Sequence, residues 1–374
     1  MPVQILSDPQ IIQPYLSDES KVTGQAQSIS FPECEAEIRE VLFAVRQADQ
    51  TLTVQGARTG ITGGAVPTGG HILNLSKLNR ITGMGWDAER KCFLLSVQPG
   101  VQLNQLNKAI AEKSFDTTGW SAQAQSALRR FQQSGAWFLP ADITETTASI
   151  GGMVSTNASG AKSYRYGSMR WHVLGLRLLL ANGKSLSLHR GEQFAQGQKF
   201  ELRLDDGSQI AGQLPAYQMP QVKNASGYYV HENMDLIDLF IGSEGTLGIV
   251  TQVTLALALQ LGFTWGMIAF FTSEQNALAY VHALRAMPQA EQPIAIEFFD
   301  QVCLALIRRE QEQLHAHQNI PTLSPAAQSA IYTEFTAESL PERDEAINRL
   351  ADLLNAGGGD EQATWLALSR QDLE

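Results

Sequence analysis

The stretch Val54 to Pro67, VQGARTGITGGAVP, constrains this chain more than any other. Gly56, Gly60, Gly63 and Gly64 crowd into it directly after the β-branched and apolar run Leu52-Thr53-Val54. The pattern predicts a strand that empties into a loop of exposed amides. Consecutive N–H groups converge on an anion only where the backbone can take positive φ and no Cβ blocks approach, so such a loop suits a phosphate. The spacing is not GxGxxG, which argues against a Rossmann-type turn, and no Gly-Lys-Ser/Thr follows, which excludes a triphosphate P-loop. A plain glycine-rich turn between two core strands accounts for the same residues.

A second small-residue stretch supports the first reading. It runs from Phe138 to Gly160, FLPADITETTASIGGMVSTNASG. Ser149 is placed to cap a helix whose first turn holds Gly151 and Gly152, with free N–H groups and the positive dipole end facing an anion. Close helix-to-sheet packing is the competing explanation of those glycines. Lys162, Arg165 and Arg170 follow and predict a locally basic rim, or else an ordinary solvated face.

Around these loops the periodicity is regular. Ile38, Val41, Leu42 and Val45 mark one face of a helix, and residues 71–75 and 91–97 read as strands with a turn at 86–89 between them. Leu103, Leu106 and Ile110 mark a second helix, and 121–133 reads as a surface helix or an insertion. Asn182-Gly183 predicts a type I′ hairpin between strands 173–181 and 184–189. A looser loop runs to Pro220, a short helix covers 235–240, and 249–259 alternates as a half-buried strand. From Gly262 strands (263–271, 294–298, 330–336, 364–368) and helices (274–287, 301–314, 342–354) interleave, which predicts a separate α+β unit with an antiparallel sheet and helices on one side.

Composition narrows the function. A chain of 374 residues exceeds one ordinary core and predicts two or three domains. The formal net charge of −11 argues against a nucleic-acid partner. Cys34, Cys92 and Cys303 form no CxxC pair, which fits a reducing compartment and excludes a cysteine-based metal cluster. Neither a signal peptide nor a transmembrane segment is read, so the expected location is cytoplasmic, with peripheral attachment at the inner membrane left open.

The order of the motifs carries a family resemblance. The glycine loop at 56–64, Pro140-x-Asp142 with the run Ile150 to Gly160, Tyr166-Gly167-Ser168, and Gly242-Ser-Glu-Gly-Thr-Leu-Gly-Ile-Val250 together resemble the FAD-binding domain of the vanillyl-alcohol oxidase and p-cresol methylhydroxylase (PCMH) superfamily. The branch it looks most like holds glycolate oxidase subunits and D-lactate or D-2-hydroxyglutarate dehydrogenases. The resemblance implies an α+β chain: an arm over 1–30, a two-subdomain PCMH-type FAD-binding domain over 31–260, and a partial antiparallel-sheet cap domain over 261–374. It implies that main-chain groups of Arg58, Thr59, Gly60, Ile61, Thr62, Gly63 and Gly64 cradle the FAD pyrophosphate. Pro140, Asp142, Gly151, Gly152, Asn157, Ser159 and Gly160 would line the isoalloxazine and ribityl chain, near Tyr166 and Gly167. Glu244, Gly245, Ile249 and Val250 would close around the cofactor, Val250 at the adenine side. Some members attach flavin through a histidine in the first loop; Ile61 stands about there, so non-covalent FAD is expected. Arg58 either adds charge beside the pyrophosphate or faces solvent.

By the same resemblance the implied activity is oxidation of a D-2-hydroxy acid, such as D-lactate or glycolate, with hydride passing to flavin N5 and electrons onward to an acceptor or partner subunit. In the related dehydrogenases the later cap carries histidines and a glutamate that bind a divalent metal and take the hydroxyl proton. Here no histidine follows His317, and His315-x-His317 reads as a surface pair. Glu297 and Asp300 match a strand-to-helix junction of the cap and read as structural. No catalytic base and no metal ligand are nominated. The alternative is a flavin-binding subunit or remnant that needs another polypeptide for catalysis.

Overall fold

The computed structural model describes residues 3–141, 143–314, 323–359, 364–368 and 372. Contacts divide the chain into two units, Met1–Ser159 with Ser168–Leu259, and Gly160–Gly167 with Gln260–Glu374. His315, His317 and Asp142 lie outside the described residues.

The first unit begins with helix α1 (Pro9–Ile12) and strand β1 (Ser28–Ser30). Helix α2 (Glu35–Gln47) buries Ile38, Val41, Leu42 and Val45, the face its periodicity predicts. β2 (Leu52–Gln55) and β3 (His71–Asn74) complete a three-stranded sheet in the order β1-β3-β2, with both pairings parallel. Adjacent parallel strands need a long crossover, most often a helix. Here the crossover between β2 and β3 is the glycine loop itself, which is why it stands clear of the sheet.

A five-stranded antiparallel sheet follows. β4 (Ile81–Asp87) and β5 (Cys92–Val97) form its first hairpin, in a place where the sequence predicts only a turn followed by a strand. The turn sits two residues later than expected, over 88–91: Asp87 Oδ1 accepts from the Glu89 and Arg90 amides, and Lys91 takes φ +54°. Helices α3 (Leu103–Glu112) and α4 (Ala122–Gln132) cover this end, α4 burying Ala124, Leu128 and Phe131. The short strand β6 (Trp137–Phe138) leads to helix α5 (Ile150–Ser155). Helix α6 (Ser163–Tyr166) belongs to the second unit.

β7 (Val173–Leu179) and β8 (Ser185–His189) pair as a hairpin, but not through the expected type I′ turn. Only Gly183 has positive φ, and its amide returns to Leu180 O, so a common turn is followed by one left-handed glycine. The supposed loop up to Pro220 contains a second hairpin, β9 (Lys199–Arg203) with β10 (Gln209–Gln213). Helix α7 (Ile237–Phe240) precedes β11 (Ile249–Ala256), the central strand in the order β4-β5-β11-β7-β8, and β12 (Ala258–Leu259) pairs with β6. Arg177 on β7 holds Glu35 of α2 at 2.8 Å and Asp205 at 2.5 Å, tying the parallel sheet's helix to the antiparallel sheet.

The second unit is a four-stranded antiparallel sheet built from β13 (Phe263–Phe271), β14 (Ala295–Phe299), β15 (Ser329–Ala337) and β16 (Trp365–Ala367), in the order β14-β15-β13-β16. Alternation along β13 sorts its side chains. Trp265, Met267, Ala269 and Phe271 meet helix α8 (Glu274–Ala286) and helix α10 (Leu340–Ala356) through Tyr280, Leu284, Leu350 and Leu354. Ile268 and Phe270 face the other way and meet Leu304 of helix α9 (Gln301–Leu314). Helices therefore lie on both faces rather than one, because β13 is apolar on both sides. Asp300 caps α9 by accepting from Cys303 N at 2.8 Å, which gives it the structural role expected. Among the described residues no helix is long and apolar enough to cross a membrane.

Candidate functional site

The glycine loop, α5 and the turn before β11 meet in one cleft of the first unit. Arg58, Thr59, Gly60, Thr62 and Gly64 form one wall; Gly151, Gly152 and Thr156 form a second; Glu244, Gly245, Ile249 and Val250 form a third. Gly56 is fixed by proximity, since a Cβ there would fall 2.2 Å from Ser149 Oγ. Gly63 is fixed by its φ of +79°. A Cβ at Gly60 would meet nothing within 4 Å, so neither conformation nor packing within the chain explains that glycine. Among the described residues, the amides of Arg58, Thr59, Gly60, Ile61, Thr62, Gly63 and Gly64 have no hydrogen-bond acceptor. Half-buried or exposed, these amides are free to donate to a bound anion, which is the chemistry of an anion cradle.

Helix α5 does not serve as a second cradle. Ser149 caps it as expected, its Oγ accepting from Gly152 N at 3.4 Å and from Ala57 N at 3.2 Å. The remaining first-turn amides are already used: Ile150 N bonds Val101 O, Gly151 N bonds Pro99 O, both at 2.8 Å, and Met153 N bonds Ser149 O. A Cβ at Gly151 would lie 2.5 Å from Pro99 Cβ. Close packing against the chain after β5 thus accounts for that glycine, and the expected free helix end is corrected.

The third wall is shaped by backbone conformation. Gly242, Glu244 and Gly245 all take positive φ, and this turn caps the far end of α5, Gly242 N donating to Val154 O and Glu244 N to Ser155 O. Glu244 holds φ +55°, a costly region for a residue with a Cβ, and burial pushes its carboxyl up from the ordinary value. Asp18, which sequence reasoning missed, reaches the cleft from the N-terminal segment and accepts from Ser20 N at 2.9 Å. Nothing in its polar surroundings distinguishes it.

Comparisons with known proteins bear on this geometry. Residues 26–128 and 122–189 match the model of an FAD binding domain family. The chain carries an FAD-binding domain of the PCMH type. It is 30% identical over 257 residues to a D-lactate dehydrogenase of Anaerostipes hadrus, covering 68% of this chain and 41% of that one. It is 29% identical over 310 residues to the probable mitochondrial D-lactate dehydrogenase of Danio rerio, covering 82% and 48%. With the mitochondrial D-2-hydroxyglutarate dehydrogenase of Danio rerio the identity is 27% over 312 residues, covering 83% and 47%. The chain spans about half the length of these curated relatives. A solved alkyldihydroxyacetonephosphate synthase superposes with a TM-score of 0.64 at 14% identity, covering 98% of this chain and 63% of that one, a likeness of fold.

The donor set of the cleft fits FAD: a diphosphate needs donors, and the glycine loop supplies unpaired ones without a lysine. Others of the residues expected at the cofactor have surroundings of their own. Pro140 is buried, and neither it nor Ser159 is among the cleft-lining residues. Asn157 takes φ +47° and its Oδ1 accepts from Arg170 N at 3.0 Å, so its side chain holds the backbone. Gly160, Tyr166 and Gly167 belong to the second unit. Ile61 leaves the cleft and is 77% exposed.

The predicted basic rim does not form. Arg170 is 8% exposed, its guanidinium bonded to Asp238 Oδ1 at 3.2 Å and to Ile241 O at 2.5 Å and stacked 4.0 Å over Tyr229. Arg190 shares the same carboxylate at 2.8 Å. In the second unit Lys162 pairs with Glu334 at 3.5 Å and Arg165 donates to Gln289 O. Each of these cations is engaged within its own unit.

Proposed function

We propose that this protein is an FAD-dependent oxidoreductase acting on a D-2-hydroxy acid such as D-lactate or glycolate, holding its cofactor without a covalent bond. The observation that carries the reading is the set of unpaired loop amides, of which those of Arg58, Thr59, Gly60, Thr62 and Gly64 belong to residues that line the cleft. The similarity to D-lactate and D-2-hydroxyglutarate dehydrogenases supports the substrate class. Bound FAD supplies a two-electron acceptor that takes the substrate's α-hydrogen as hydride at N5. The loop amides of this chain hold the diphosphate, Ile249 and Val250 give an apolar floor, and Gly151 keeps α5 against Pro99 so that the second wall keeps its place. The hydroxyl proton would pass to a base or to solvent, the oxidised substrate would leave as a 2-oxo acid, and the electrons would pass to an acceptor or partner subunit. Residues 31–260 would form the flavin domain and 261–374 part of the substrate-covering domain.

The test is direct. Purified protein should take up FAD with yellow absorbance, and anaerobic D-lactate, glycolate or D-2-hydroxyglutarate should bleach it. Acid precipitation should release the whole flavin to the supernatant; flavin retained in the pellet would overturn the non-covalent reading. A second reading is a flavin-binding subunit that needs another polypeptide for catalysis. Uptake of FAD with no bleaching by any of the three acids selects it.

A further inference from the structure

We infer that the segment from Asp8 to Glu19 is a brace for the glycine loop, and that Arg58 is a positioning residue that locks the loop to it. The inference rests on the loop being the diphosphate cradle. Arg58 is a non-glycine residue at φ +61°, a conformation that persists only when its surroundings hold it. Its Nη1 donates to the carbonyl oxygens of Pro14 and Ser17, and its guanidinium lies 4.7 Å from the Tyr15 ring centroid. Its own carbonyl accepts from Glu19 N at 3.2 Å. At the far end of the loop, Asp18 Oδ2 accepts from Ala65 N at 3.4 Å, and Gln55 Nε2 joins Tyr15 O at 2.8 Å to Ala65 O at 2.7 Å.

The segment is itself anchored. Ile12 is buried in one cluster with Ile29 and Ile72, and the Tyr15 ring meets Phe31 edge-on at 5.2 Å. Seven amides without acceptors cannot hold their own loop in shape, so the order must come from outside it. The brace supplies that order at both ends. Arg58 is thereby engaged by two carbonyls and a ring, and its charge acts on the arm.

The experiment compares Arg58→Lys, Arg58→Met, Arg58→Gly and Tyr15→Leu in the full chain, by FAD titration and by amide exchange of the FAD-free protein. Arg58→Lys keeps the charge and Arg58→Gly relieves the positive φ, yet neither keeps the forked contact with Pro14 and Ser17. Each variant should weaken FAD binding about tenfold, and Arg58→Met with Tyr15→Leu should be no worse than either alone, because both cut one link. In FAD-free protein each should speed exchange at Glu19 and Val66, whose amides are bonded across the brace and the loop. Wild-type affinity in Arg58→Lys and Tyr15→Leu, with unchanged exchange, would overturn the inference and return Arg58 to the diphosphate. If wild-type protein binds no FAD, the cofactor reading fails, and exchange at Glu19 and Val66 still decides the brace.

Discussion

His71 sits in β3 with no exposed surface, one ring nitrogen 2.7 Å from Ser28 Oγ and the other 2.8 Å from Ser30 Oγ. One hydroxyl must accept and the other donate, which suits a neutral imidazole, and burial lowers its pKa from 6.5 to about 4. The unfolded chain therefore takes up a proton below pH 6.5 that the folded chain refuses until about pH 4. Stability from this group is full above pH 6.5 and declines as pH falls to 4, by about 3 kcal/mol in total. Urea midpoints measured across that window should show the decline, and His71→Gln should flatten it. Asp238 is the opposite case, a buried carboxylate shared by Arg170 and Arg190. Asp238→Ala leaves both guanidinium groups without it and should cost about 3–5 kcal/mol in equilibrium denaturation. At this scale the glycine loop was legible in part: Gly63 has the positive φ the pattern implies, whereas Gly56 is required by the distant Ser149. The partner of Arg58 was not, because Tyr15 and Pro14 lie far away in sequence and carry no motif.

At the level of elements, α5 shows how one reading was half right. The Ser149 cap is where a serine before a short helix should be, but the amides behind it are bonded to the chain after β5, a tertiary pairing that no local pattern announces. Gly151→Ala would improve helix propensity and yet drive a methyl toward Pro99, so it should destabilise by about 1–3 kcal/mol in thermal or chemical melts. A gain in stability would mean that the packing is looser than 2.5 Å implies. The strands missed in the sequence also have reasons. β4 holds Gly83 and Gly85, which dilute its strand signal, while Trp86 earns its place by packing on Phe93 at 4.8 Å. The β9–β10 hairpin carried usable cues in Asp206-Gly207, with Gly207 at φ +82°, and in the alternation of Lys199-Phe-Glu-Leu-Arg203, but β10 offers Ile210 as its one large apolar residue and is mostly exposed.

For the molecule as a whole, α+β class and the change of character near residue 260 were legible, because periodicity shifts there and the apolar strand β13 begins. The exchange of Gly160–Gly167 into the second unit was not, since that segment reads as a continuation of the small-residue run before it. Cofactor binding should stabilise the first unit by mass action: free FAD at a hundredfold its Kd adds about 2.7 kcal/mol. Amide exchange in β2, β3 and β11 would report it, and no added protection there would count against the cleft. Lys162, Arg165 and α6 travel in a short excursion, leaving at Gly160 and coming home at Gly167, while the rest of the second unit starts only at Gln260. A gene fragment cut at that later boundary would therefore deprive Glu334, only 9% exposed, of its lysine, and β14 of the helix beside it. Anyone wishing to dissect the protein must graft eight upstream residues onto the downstream half, or study it uncut.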